Sequence, residues 1–149
     1  MRAVALLLAM GLPAPVCAEV WVSPYSHTEH FRYTYYVVDG ARRQFVDSHP
    51  SFGLEVTTAP GESVAAGVYR DSFGGTSAYL ARRKAWKYGV GWTVGALIGH
   101  RYPHGVVPFL GPEYVIGWGD FKVSVGYLPN FGVVKAPDLG IVQFSARIF

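Results

Sequence analysis

Along most of the chain, large apolar residues alternate with small or polar ones. Between residues 89 and 99, Val90, Trp92, Val94, Ala96 and Ile98 share one parity, and Gly89, Gly91, Thr93, Gly95, Leu97 and Gly99 share the other. Successive side chains of a strand point to opposite faces, so this segment reads as a strand with a large apolar face backed by a small one. The pattern recurs where Phe52, Leu54 and Val56 oppose Gly53, Glu55 and Thr57, and where Phe121, Val123, Val125 and Tyr127 oppose Lys122, Ser124 and Gly126. It returns where Val142, Phe144, Ala146 and Ile148 oppose Gln143, Ser145 and Arg147. A soluble sheet is expected to carry longer and more highly charged side chains on its polar face. These glycine-rich second faces fit a wall whose apolar side meets lipid and whose inner side is polar or small. Eight strands follow, over residues 20–30, 50–58, 64–71, 76–86, 89–100, 107–118, 121–129 and 139–149. Most approach the ~9–11 residues of a tilted spanning strand. The expected fold is all-β, an eight-stranded antiparallel transmembrane β-barrel.

The connections alternate in length. Those at 59–63, 87–88 and 119–120 are short, and those at 31–49 and 130–138 are longer. Outer-membrane barrels have short periplasmic turns and longer external loops, so both termini are expected on the periplasmic side. Phe149 falls out of phase with Val142, Phe144, Ala146 and Ile148, which predicts a bulge near the end of the last strand.

The first residues suggest the route of export. Met1-Arg2 gives a positive start, Ala3 to Leu12 is a short apolar run, and Val16-Cys17-Ala18 fits a cleavage site before Glu19. Residues 1–18 therefore read as a signal peptide and 19–149 as the barrel domain. Cys17 allows a lipoprotein reading, but Pro13-Ala14-Pro15-Val16 lacks the leucine of such a site. Cleavage after Ala18 removes the only cysteine, which leaves no disulfide and no thiolate metal site. Half of the residues are hydrophobic and 15% are charged, yet no later run reaches the ~20 apolar residues of a membrane helix. A net charge of +3 is too small to imply nucleic acid. Composition alone also admits a soluble β-sandwich or a lipocalin-like barrel.

The strand phases assign an interior. Glu55, Glu113, Lys122 and Arg147 point inward in the periplasmic half, where unlike charges are expected to pair. Tyr69, Gly95, Leu97, Gly99, Gly126 and Ile141 line the external half. Such a lining suits an apolar ligand, and it equally suits a solid core in which tyrosines fill the space left by glycines. Pro24, Pro50, Pro108, Pro112 and Pro129 cluster near the external ends of two neighbouring strand pairs. Proline cannot donate to a ladder, so these seams could part for a lipid chain; bounding strands is its commoner use. All five histidines, His27, His30, His49, His100 and His104, map to the external side, without an acidic or cysteine set at metal-site spacing. The third strand ends in Tyr69-Arg70-Asp71-Ser72-Phe73-Gly74-Gly75. Histidine, aspartate and serine at one rim can support acyl transfer, because imidazole can take a hydroxyl proton in the transition state. The same three residue types also meet in many inert loops.

Several pieces in one order resemble the PagP family of outer-membrane lipid A palmitoyltransferases, as a divergent branch. Phe52-Gly53-Leu54 resembles the start of that family's second strand. Arg70-Asp71-Ser72-Phe73 resembles its basic-Asp-Ser-aromatic signature, and Tyr127-Leu128-Pro129 resembles its Tyr-apolar-Pro element. His30 stands where the family has its histidine, and the chain ends in phenylalanine as the family's do. The prolines fall at the family's two lateral openings. The resemblance covers most of the mature chain but is thin in identities. It departs at the start, where Trp21 follows the cleavage site and no amphipathic helix precedes the barrel. The residue setting the family's acyl-chain ruler has no secure counterpart along Ser77 to Arg82.

The resemblance implies transfer of a palmitoyl chain from the sn-1 position of a phospholipid donor to lipid A, by a monomer in the outer-membrane bilayer with no cofactor and no metal. It implies His30 as the proton-transfer group, Asp71 as the residue that orients or charges it, and Ser72 as a positioning group for the ester. Arg70, Tyr69 and Leu97 become substrate-binding residues, and Pro24, Pro50, Pro112 and Pro129 mark lateral lipid access. Arg32, Arg42, Arg43 and Arg101 join Arg70 as candidates for lipid A phosphates, since arginine forks match phosphate oxygens; ordinary solvated loop charge accounts for them equally well. His27 is expected to point the other way from His30. The main alternative is a non-enzymatic small outer-membrane barrel for adhesion or membrane integrity, with a filled interior. A soluble exported lipid-binding barrel is the third reading.

Overall fold

The computed structural model describes residues 19–31, 35–86, 89–100, 105–129 and 138–149. The expected signal peptide, together with Arg32, Arg101 and His104, lies outside the described residues. Among the described residues there are ten strands: β1 (Val20–Phe31), β2 (Tyr35–Val38), β3 (Ala41–Gln44), β4 (Ser48–Ala59), β5 (Glu62–Arg70), β6 (Thr76–Ala85), β7 (Val90–Ile98), β8 (Val106–Trp118), β9 (Phe121–Leu128) and β10 (Asp138–Arg147). Eight of them close an antiparallel barrel in the order β1-β10-β9-β8-β7-β6-β5-β4. The remaining two, β2 and β3, form a hairpin within the β1–β4 connection.

The alternation now has its physical meaning. Phe52, Leu54, Val68, Leu80, Val90, Ile98, Leu110, Ile116, Val125 and Phe144 are exposed on the outer wall, whereas Glu55, Glu113, Lys122, Ser124 and Gln143 are buried inside. Water would penalise so large an apolar exterior, and lipid does not. Closure also gives every barrel strand two neighbours, as the backbone needs inside a bilayer. The chain is thus a transmembrane β-barrel. Its turns at Pro60-Gly61 and Gly119-Asp120 are tight, and Gly61 and Gly119 adopt positive φ there. The end carrying these turns is called the short-turn end, and the opposite one the long-loop end.

Two expectations are corrected and one is met. The second barrel strand begins at Ser48 rather than at residue 50, which puts His49 in the wall with its side chain inward. The bulge expected near the C-terminus is present, since Ile148 and Phe149 together oppose Val20, and a second irregularity lies in β1 around Pro24, between Val22 and Tyr25. Beyond β10, Ile148 N donates to Val20 O at 2.8 Å and Val20 N donates to Phe149 O at 3.1 Å. Phe149 itself is 82% exposed. Arg147, expected among the interior charges, sits at the short-turn rim, where it pairs with Glu19 at 2.9 Å and Asp120 at 2.5 Å. It is too near the end of its strand to reach the interior layer.

That layer is organised by Arg83, which the sequence reading passed over although it shares parity with Ser77, Tyr79 and Ala81. Arg83 Nη1 donates to Glu55 at 2.5 Å, its Nε lies 3.4 Å from Glu113, and its Nη2 donates to Gln143. Lys122 Nζ donates to Glu55 at 2.5 Å and lies 4.4 Å from the centroid of the Trp21 ring. Ser63 Oγ donates to the same carboxylate at 2.8 Å. Two cations and two carboxylates therefore form a paired plate across the barrel, as buried charge requires.

Candidate functional site

Above the plate, toward the long-loop end, lies an open-mouthed cavity of about 110 Å³. Ala81, Leu97, Phe109, Leu128, Leu139 and Ile141 form its apolar wall. Arg83, Glu113 and Gln143 form its floor, and Thr28, His49, Tyr69 and Ser72 stand at its mouth. A second void, lined by Glu55, Arg83, Glu113 and Lys122 among others, opens on the short-turn side of the same plate. The charged layer thus separates two spaces and gives the upper one a polar floor.

Both expectations for the interior hold, in different places. Gly53 and Gly67 make room for the Tyr79 ring: a Cβ at Gly53 would lie 2.1 Å from Tyr79 Oη, and one at Gly67 2.7 Å from Tyr79 Cε1. Gly95 does the same for Phe109, at 2.6 Å. Beside Leu97, Gly126 and Ile141 the space stays open. Tyr69 and Leu97, two of the expected binding residues, line it. Arg70 is exposed on the outer face at the end of β5, and Arg42 and Arg43 are exposed on the β2–β3 hairpin.

The three expected catalytic residues do not form one triad. His30 points inward and is 9% exposed; its Nδ1 donates to Asp47 Oδ1 at 3.0 Å, and its ring stacks on Phe45 at 4.1 Å. The carboxylate beside His30 is therefore Asp47, not Asp71. Asp71 is 1% exposed and its oxygens are taken locally: Oδ1 accepts from Phe73 N at 3.0 Å and Gly75 N at 2.8 Å, and Oδ2 accepts from Ser77 Oγ at 2.7 Å. This is the self-bonding turn that aspartate favours, and the positive φ of Gly74 completes it. Its product is the position of Ser72, whose carbonyl accepts from Val46 N at 2.9 Å and whose side chain lines the cavity. Tyr36, Phe45 and Phe73 pack against one another and tie the hairpin to this turn. His27 has outward parity, as expected.

His49 is fully buried, at 0% exposure. Its Nδ1 donates to the Arg70 carbonyl at 2.5 Å, and its Nε2 lies 2.6 Å from Thr28 Oγ1. The missed signal was parity, since His49 is in phase with Gly53 and Glu55. Asp47 has no such signal, because it lies in a connection where only the fold brings it to His30.

The two proline seams differ. Between β1 and β4 the ladder continues on both sides of the bulge, from Ser23↔Gly53 to Tyr25↔Pro50 and on to His27↔Ser48. Pro24 and Pro50 therefore do not part that seam. Between β8 and β9 the ladder runs from Trp118↔Phe121 and stops at Glu113↔Gly126, next to Pro112. Among the described residues, Val106–Pro112 have no ladder partner on the β9 side, although β7 pairs with β8 out to Val106. The backbones stay close at first, for a Cβ on Gly111 would lie 1.8 Å from Tyr127 O. Pro129 follows directly on β9.

No protein-family model and no curated protein matches the sequence. Among solved structures, the barrel is similar to the solution NMR structure of the de novo designed TMB2.3, with a TM-score of 0.62 and 14% identity over 89% of this chain and 95% of that one. At that identity the likeness concerns the fold alone.

Proposed function

We propose that this barrel is an outer-membrane acyltransferase that moves a palmitoyl chain from a phospholipid to lipid A, with the long-loop end facing outward. The observation that carries the reading is the apolar cavity that opens at this end beneath serine, threonine and histidine side chains. An acyl chain needs an apolar slot, and its ester needs polar groups at the slot's mouth. The sequence resemblance supplies the substrate pair. The shortened β8·β9 ladder beside Pro112 and Pro129 is the proposed lipid entry, since few hydrogen bonds hold that seam. In a single-step transfer His30, oriented by Asp47, draws the proton from the acceptor hydroxyl, and Ser72 positions the ester carbonyl. Asp71 acts by holding the Ser72 turn. A non-enzymatic barrel finds support in the Tyr79 and Phe109 rings that fill part of the interior.

The test is expression in a Gram-negative host, with mass spectrometry of lipid A. The wild type is expected in the outer-membrane fraction, running faster unboiled than boiled on detergent gels, with lipid A gaining one palmitoyl chain. His30→Ala and Ser72→Ala are expected to fold equally well and to lose most of that gain. Losing one positioned acid–base group costs ~10²–10⁴-fold. Unmodified lipid A with folded wild type in the outer membrane overturns the reading.

A further inference from the structure

The cavity mouth holds a constellation of its own, on β1, β4 and β5, apart from His30, which lines a separate recess with Asp47 and Phe45. The Arg70 carbonyl can only accept, so His49 carries its proton on Nδ1 at 2.5 Å from that oxygen. In the neutral ring Nε2 is then the acceptor, and Thr28 Oγ1 lies 2.6 Å from it. The fold pins both partners. Thr28 N donates to Asp47 O at 2.8 Å, and the ladders place Ser26 opposite His49 and Ser51 opposite Tyr69. Thr28 and His49 are both buried, and both line the cavity with Ser72.

We infer that Thr28 is a nucleophile, activated by His49, that carries the acyl chain covalently between donor and acceptor; the inference rests on the acyltransferase reading above. A hydroxyl within hydrogen-bond reach of a base, with that base oriented by a third group, is the geometric signature of an activated nucleophile. Here the third group is a backbone carbonyl, which fixes the tautomer as a carboxylate does in the better-known triads. Both side chains line the cavity that would hold the acyl tail.

The chemistry balances without a cofactor. Thr28 Oγ1 attacks the carbonyl carbon of the donor ester while its proton passes to His49 Nε2. The bond from that carbon to the donor's alkoxy oxygen breaks, and the donor leaves as an alcohol carrying this proton. The acyl chain remains as an ester on Thr28, with its tail in the cavity. An acceptor hydroxyl then attacks the ester and gives its proton to His49 Nε2. Thr28 Oγ1 leaves and recovers the proton. In this two-step course His30 and Asp47 orient the acceptor, so His30→Ala still loses transfer to lipid A but keeps the acyl adduct on Thr28.

The full chain, refolded in detergent micelles, is mixed with p-nitrophenyl palmitate, acid-quenched and weighed intact. The wild type is expected to show a burst of nitrophenolate and a gain of one palmitoyl mass, mapped to the peptide holding Thr28. Thr28→Val, similar in shape but without the hydroxyl, is expected to lose both while keeping heat-modifiable migration. Thr28→Ser restores the adduct. His49→Gln slows acylation by ~10²–10⁴-fold, the range for a lost general base. Folded Thr28→Val that still palmitoylates lipid A in cells overturns the covalent route and leaves the acyltransferase reading standing. Folded wild type that neither turns over the ester nor modifies lipid A overturns both.

Discussion

Replacing Glu55 with glutamine removes one of two carboxylates from a layer that holds two cations. In the native barrel Glu55 accepts from Arg83 at 2.5 Å, Lys122 at 2.5 Å and Ser63 at 2.8 Å. Glutamine preserves the shape and one acceptor oxygen for Ser63, but leaves Glu113 as the layer's remaining anion. The side chains of Arg83 and Lys122 are only 14% and 10% exposed, so water compensates little. Breaking a buried pair by removing one partner costs ~3–5 kcal/mol, because a charge is left buried without its counterion. With a urea m-value of about 2 kcal/mol/M, a loss of about 4 kcal/mol lowers the unfolding midpoint by about 2 M. The assay is equilibrium unfolding of the barrel in lipid vesicles, followed by tryptophan fluorescence and gel migration. The double variant Glu55→Gln/Lys122→Met removes one charge of each sign and is expected to recover much of the loss. A single-variant shift under about 0.5 M, the size expected of a solvent-exposed pair, refutes the plate as a buried, coupled unit. So does a double variant no more stable than the single one.

Two further outcomes test the mouth of the cavity. Leu97→Trp fills the slot beside Ile141 and is expected to cut acyl transfer by at least ~10-fold, the scale of a single misfitted methylene, with normal migration on gels. Asp71→Ala leaves the donors Phe73 N, Gly75 N and Ser77 Oγ without their acceptor, at ~1–3 kcal/mol per buried group, and is expected to lose both stability and activity. Asp71→Asn keeps an oxygen for the two backbone donors and is expected to retain most activity, measured on lipid A; an Asn variant as dead as the Ala variant means that the charge itself takes part in the chemistry.

The barrel was legible because its signal is local. Val90 to Ile98 and Phe121 to Tyr127 alternate within single strands, and period 2 survives whatever the strands pair with. The same phase read from Gly53 and Glu55 would have turned His49 inward; beginning the strand at residue 50 hid it. The positions of Glu55, Glu113 and Lys122 inside the wall followed from phase alone, and so did the opposite facing of His27 and His30.

Partners across the barrel were not legible. Phase says that Arg83 and Glu55 both point inward, but only strand order and stagger bring them within 2.5 Å. Local chemistry also misled: Asp71 beside Ser72 suggested a shared catalytic role, while the folded turn binds that carboxylate to Phe73, Gly75 and Ser77. Asp47 reaches His30, and His49 joins Thr28 to the Arg70 carbonyl, through contacts between segments well apart in the chain. The sequence by itself determined which residues face lipid and which face inward, because that depends on each strand's own pleat. Which inward residues meet was decided only when the strands closed on one another, because the tilt of a closed barrel shifts the height of each strand relative to the next.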